Sequence, residues 1–94
     1  MEIEKIYWRA NALNSLKYIL TIYHYRKGRA MAEKITKTII DDIEEIRIRP
    51  YNGYIEPSMQ GGLPQKIYSR FSRKVKILYY TEDDTLYIVD FHTS

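Results

Sequence analysis

Between Gln65 and Thr81 the chain reads QKIYSRFSRKVKILYYT, with Lys66, Arg70, Arg73, Lys74 and Lys76 and no acidic residue. Cations at this density suit an anionic partner, a nucleic acid first and an acidic protein second. Cutting RNA without a metal needs three things. Cations must hold the phosphate, a 2′-hydroxyl must lie in line with it, and a general base and acid must be at hand. Arg70, Arg73, Lys74 and Lys76 could supply the cations, arginine being suited to bidentate phosphate contact. His92 is the leading proton carrier, because an imidazole titrates near neutral pH. Tyr68 and Tyr80 sit among the cations and could stack on a base. Plainer readings stand beside these. Lysines keep a sheet edge soluble and unpaired, a residue near a chain end often has no role, and tyrosine suits strands for packing reasons alone. The sequence has no cysteine and two histidines far apart. It shows no metal-ligand spacing and no thiol nucleophile, and no cofactor is expected.

The elements that must position these residues follow from periodicity. Ile67 and Phe71 alternate with polar partners, and so do Val75, Ile77 and Tyr79, which predicts two strands, about Gln65–Phe71 and Lys74–Thr81, joined at Ser72-Arg73. The pair should be apolar on one face and cationic on the other. Alternation puts Arg70 with Tyr68, and Lys74, Lys76, Leu78 and Tyr80 together on the next strand. A last strand, about Thr85–Phe91, follows the acidic joint Glu82-Asp83-Asp84, with His92 just after it.

Upstream, Ile3, Ile6 and Trp8 mark a first strand from about Glu2 to Tyr7. Leu13, Leu16, Leu20 and Tyr23 then recur at helical spacing, with Asn11 as N-cap and an end near Arg26-Lys27-Gly28. A second helix begins near Arg29 or Ala30. It carries Met31, Ile35, Ile39, Ile43 and Ile46 on one stripe, and Pro50 stops it. The connection is so short that the helices must form an antiparallel hairpin. Pro50 to Pro64, with Asn52-Gly53, Pro57 and Gly61-Gly62, reads as a long loop. The expected fold is one α+β domain over residues 1–94, βααβββ, with the helical hairpin packed on an antiparallel sheet and the first strand at or near an edge.

Fifteen bases and twelve acids give a net charge of +3. The acids gather at Asp41, Asp42, Glu44 and Glu45 and again at Glu82, Asp83 and Asp84, on either side of the basic stretch. No segment reaches the roughly 20 apolar residues that span a membrane, and the N-terminus lacks a signal-peptide pattern, so a cytoplasmic protein is expected.

The chain resembles the RelE/ParE superfamily of bacterial type II toxins along nearly its whole length. Trp8, Ala12 and Leu16 resemble the family's Trp-x-x-x-Ala-x-x-x-Leu opening, with Tyr23 as the aromatic late in the first helix. Arg47, Pro50 and Gly53 match an Arg-x-x-Pro-x-x-Gly stretch. Lys76-Ile77-Leu78-Tyr79-Tyr80, the acidic turn and Leu86-Tyr87-Ile88-Val89-Asp90-Phe91 resemble the family's final hairpin. His92 sits where several members carry His or Arg. The resemblance implies a toxin, of the kind linked to plasmid stabilisation, made with an acidic antitoxin that wraps it. RelE-like members cut mRNA on the ribosome, and ParE-like members poison DNA gyrase without an active site of their own. A third outcome is a non-toxic member that only binds its antitoxin. Under the first reading His92, Arg70 and Arg73 are catalytic, while Lys66, Tyr68, Lys74, Lys76 and Tyr80 bind nucleic acid or antitoxin.

Overall fold

The computed structural model describes residues 2–56 and 66–93. Strand β1 (Lys5–Trp8) leads into helix α1 (Ala10–Lys27) and helix α2 (Arg29–Ile48). A single 3-10 turn (Pro50–Asn52) and a two-residue strand β2 (Tyr54–Ile55) follow. Strands β3 (Tyr68–Ser72), β4 (Val75–Glu82) and β5 (Thr85–Thr93) complete the domain. The expected loop from Pro50 to Pro64 therefore contains a turn and an edge strand. Its Pro57 and Gly61-Gly62, and Gln65 of the expected strand, lie outside the described residues.

The helices begin and end for local reasons. Helix α1 starts one residue before the expected cap: Arg9 is the extended N-cap and makes no side-chain cap bond. Gly28, at φ +92, occupies backbone space that other residues rarely enter. Its N–H closes on His24 O at 3.0 Å, and the chain turns there directly into α2. Pro50 ends α2, as expected.

The sheet order is β1-β5-β4-β3-β2. Three pairings are antiparallel, but β1 runs parallel to β5, Lys5 opposite Thr85 and Trp8 opposite Ile88. The sheet is thus mixed, because the helical hairpin returns the chain to the end from which β1 started. Both helices cover one face. Ile19, Ile35, Ile39, Ile43 and Ile46 pack there against Val75, Ile77, Tyr79, Leu86, Ile88 and Phe91. Full burial of each such aliphatic side chain is worth about 2 kcal/mol. Leu13, expected in the stripe, is exposed, and Ala12 and Ile19 take the inward positions of α1. Among the described residues no helix covers the opposite face.

The family-like Arg47-x-x-Pro50-x-x-Gly53 stretch is a structural clamp. Arg47 Nη1 donates to Ile3 O (2.7 Å) and fixes the run into β1. Pro50 O accepts the hydroxyl of Tyr79 (2.7 Å). At Gly53 a Cβ would stand 2.3 Å from that same hydroxyl oxygen, so no other residue fits without a shift.

Candidate functional site

Two local devices decide which way the candidate residues face. The first is the β3–β4 turn. Its two residues are Arg73 and Lys74, which pairs Arg70 with Ile77 and Phe71 with Lys76. Arg70 therefore shares the helix side of the sheet with Tyr68, while Lys76 projects from the bare side beside Phe71. The expected split into one apolar and one cationic face does not hold across this pair. A joint at Ser72-Arg73 would pair Arg70 with Val75 instead of Ile77, a two-residue slip that leaves Arg70 on the helix side, so alternation itself keeps Arg70 and Lys76 on opposite faces.

The second device is a β-bulge in β5. Leu78 pairs with Asp90, but Tyr79 pairs with Ile88, leaving Val89 as the extra residue. Simple alternation from Leu86 and Ile88 would bury Asp90 and His92 and expose Phe91. The bulge resets the phase. Phe91 enters the core, and Asp90 and His92 turn to the bare face.

That face carries a constellation with the chemistry of a site. His92 lies within β5, opposite Lys76. Its Nε2 is 3.1 Å from Asp90 Oδ2. Asp90 Oδ1 accepts the Phe91 N–H at 2.8 Å, so the carboxylate is held from both sides. With Nε2–H donating to Asp90, Nδ1 keeps its lone pair for a substrate proton. His92 is half exposed and open to solvent. Lys76 Nζ sits 2.8 Å from Glu56 Oε2 and 5.8 Å from the centre of the Phe71 ring. Glu56 is buried and is placed by β2, its N–H donating to Ile67 O.

The other expected residues lie elsewhere. Arg70 is half-buried on the helix side, close enough to Tyr79 to oppose the upward shift of its phenol. Arg73 and Lys74 are exposed in the turn, facing the end of α1. Lys66 is exposed just before β3. Tyr68 stacks on Tyr79 (5.9 Å, 20°) and meets the edge of Tyr51. Tyr80 stacks on Tyr87 (4.7 Å, 12°), which in turn meets Tyr7. One ring face of each is therefore already covered by another tyrosine. His24 is exposed on the last turn of α1, far along the chain from His92. Asp90 and Glu56 escaped the sequence reading. The spacing Asp90-x-His92 within a strand was a signal for the first, and nothing marked Glu56 before β2 placed it.

Among the described residues no helix is long and apolar enough to cross a membrane. The sequence matches no family model and no curated protein. Among solved structures it is similar to one described as a chromosomal ParDE TA system from P. aeruginosa. The TM-score is 0.74 at 14% identity, over 97% of this chain and 96% of that one. Identity at that level speaks for architecture alone, and in architecture the chain has the same fold as that structure.

Proposed function

We propose that the chain is the toxin of a type II toxin–antitoxin pair, acting in the cytoplasm as a metal-independent mRNA endoribonuclease at the ribosome. The fold likeness supports the toxin part. The His92–Asp90 pair, 3.1 Å apart and exposed, is the observation that supports RNA cleavage. In this reading His92 Nδ1 takes the proton of the 2′-hydroxyl, and the 2′-oxygen attacks the adjacent phosphorus. The P–O5′ bond breaks, leaving a 2′,3′-cyclic phosphate and a 5′-hydroxyl whose proton comes from solvent. Asp90 positions the imidazole and stabilises its charged form. Lys76, across the strand pair, meets the phosphate. Arg70 projects from the opposite face of the sheet and Arg73 stands in the β3–β4 turn, so neither is assigned a part in this step. Cleavage of mRNA during translation should be lost with His92→Ala and survive Arg70→Ala. Cleavage that survives His92→Ala removes the assignment.

One observation favours a second reading, a ParE-like inhibitor of gyrase. Lys76 is the cation paired with His92 across the ladder, and its ammonium is engaged by Glu56. Gyrase-dependent DNA breaks with intact mRNA, unaffected by His92→Ala, would establish that alternative. Under either reading the partner is an acidic antitoxin.

A further inference from the structure

Between the end of α1, the first turns of α2 and the β3–β4 turn lies a cavity of about 250 Å³, lined by Tyr23, Lys27, Met31, Ile35, Arg73 and Lys74. A second, of about 350 Å³, shares Tyr23, Lys27 and Lys74 with it and adds Arg26. The pair together fall in the roughly 300–1,000 Å³ range of small-molecule pockets. Among the described residues no acid lines either cavity. The mouth is thus cationic, and the wall behind it is apolar, from Met31 and Ile35 to Tyr23, which packs against the core.

Arg26 and Lys27 have a plain explanation, since bases in the last turn of α1 complement its dipole. Two neighbouring residues do not. Arg73 stands at φ 58, a conformation that glycine and asparagine accept and arginine does not favour. The matching position of the β4–β5 turn, at φ 56, is Asp83, a residue type that tolerates it. The β3–β4 turn thus keeps an arginine where the backbone argues for something else. Ser72, the residue before it, pairs with the core residue Val75, so its side chain lies on the helix side of the sheet, as the pocket does. Ser72 is 2% exposed, and its Oγ has no hydrogen-bond partner among the described residues. A buried hydroxyl left in that state is costly, and an oxygen of a ligand relieves the cost.

We propose that this pocket is a binding site for a nucleoside 5′-phosphate. Lys27 and Arg73 hold the phosphate with Lys74 beside them, the Ser72 hydroxyl donates to one of its oxygens, and the base lies against Tyr23 and Met31. The bound nucleotide ties the end of α1 to the β3–β4 turn, so it stabilises the domain by mass action. The site stands whether or not the chain cleaves RNA. The same chemistry has two sources, a free nucleotide and the 5′-phosphorylated end of an RNA, and the test separates them.

The probe is adenosine 5′-monophosphate, titrated into the full chain and followed by backbone NMR and by Tm. Amide signals of Gly28, Ser72 and Arg73 are expected to shift and the Tm to rise, while adenosine, ribose 5-phosphate and inorganic phosphate each bind at least about tenfold more weakly. Lys27→Gln and Arg73→Gly should each weaken binding about tenfold. Arg73→Gly also relieves the turn, so the Tm of the free protein should hold or rise while affinity falls, which separates binding from folding. Ser72→Ala should do the same, because it removes a hydroxyl that only the ligand satisfies. Lys37→Gln, at an exposed base of α2 that lines neither cavity, should bind like the parent. The proposal is overturned if adenosine or inorganic phosphate binds as well as the nucleotide, or if Lys37→Gln weakens binding as much as Arg73→Gly. It is also overturned if the shifts gather at Lys76 and His92 instead. Competition by a short RNA with a 5′-phosphate, but not by the same RNA with a 5′-hydroxyl, supports the site with an RNA end as its ligand. Competition by neither supports it with the free nucleotide, and equal competition by both overturns it.

Discussion

Replacing Tyr79 by phenylalanine removes one oxygen atom from the centre of the domain. That hydroxyl donates to Pro50 O at 2.7 Å, and the ring is fully buried. At neutral pH the variant should lose about 1 kcal/mol, because the Pro50 carbonyl is left without its donor. High pH should reverse the ranking. Burial pushes the Tyr79 phenol up to about 12 from an ordinary 10, and the nearby Arg70 opposes the shift only in part. The folded pKa lies above the unfolded one, so the phenol's contribution is full below pH 10 and is lost as pH rises toward 12. The loss is on the order of 1 kcal/mol at pH 11 and on the order of 2 kcal/mol at pH 12. Phenylalanine has nothing to ionise. Groups common to both proteins cancel in the difference, so the two stability curves should cross between about pH 10 and about pH 11. Urea unfolding followed by circular dichroism, from about pH 8 to about pH 11.5, measures the difference directly. A stability difference that stays constant over that range would refute the reasoning, since it would mean the phenol ionises as easily inside the protein as outside.

Three further outcomes follow from the same contacts. Gly53→Ala should destabilise by about 2 kcal/mol or more, read by thermal unfolding, because its Cβ meets Tyr79 Oη at 2.3 Å and Ser69 O at 2.8 Å. Pairing it with Tyr79→Phe should recover part of that loss, since the nearer obstacle is gone. Lys76→Met leaves the Glu56 carboxylate buried without its 2.8 Å partner and should cost about 3 kcal/mol, whereas Lys76→Met with Glu56→Gln should cost clearly less. Arg47→Leu frees the Ile3 carbonyl and should speed amide exchange in β1 while leaving β4 protected. The Arg47 guanidinium also holds the Glu44 carboxyl below its ordinary value through their hydrogen bond. That contribution is present above the unfolded carboxylate pKa and fades as pH falls through the depressed one, so the stability gap between the parent and Arg47→Leu should narrow in acid, leaving the part due to the Ile3 carbonyl.

The order of elements was legible because apolar periodicity is a property of single segments. The stripe Ile35, Ile39, Ile43 and Ile46 is buried as its spacing required, and Pro50 and Gly28 end their helices for reasons local to each residue. The family-like stretch Arg47, Pro50 and Gly53 was legible as a pattern but not as a mechanism. Its three residues act on Ile3 and Tyr79, and no local signal names a partner so far along the chain. Strand β2 was missed because two residues carry no periodicity, and Glu56 was missed with it. The parallel pairing of β1 depends on where the helical hairpin delivers the chain, which the hydrophobic pattern of β1 does not encode.

The candidate site turned on phase, and phase is where reading strands from sequence is weakest. The reading of one cationic face put Arg70 and Lys76 on the same surface, whereas the ladder pairs Arg70 with Ile77 and Phe71 with Lys76 and so sets them on opposite ones. The bulge at Val89 works the other way, joining residues that strict alternation would have hidden. Two features make it more than an irregularity of the ladder. It keeps Leu86, Ile88 and Phe91 all in the core, which no unbroken alternation can do, and so it is strongly favoured by burial. The same shift obliges Asp90 and His92 to face outward together, where the Phe91 N–H then fixes the carboxylate against the imidazole. The stability of the core and the presentation of the His92–Asp90 pair are therefore consequences of one backbone event. A sequence could not abandon the pair's geometry by drifting in register without also expelling Phe91, which ties the site to the fold more firmly than any surface contact does.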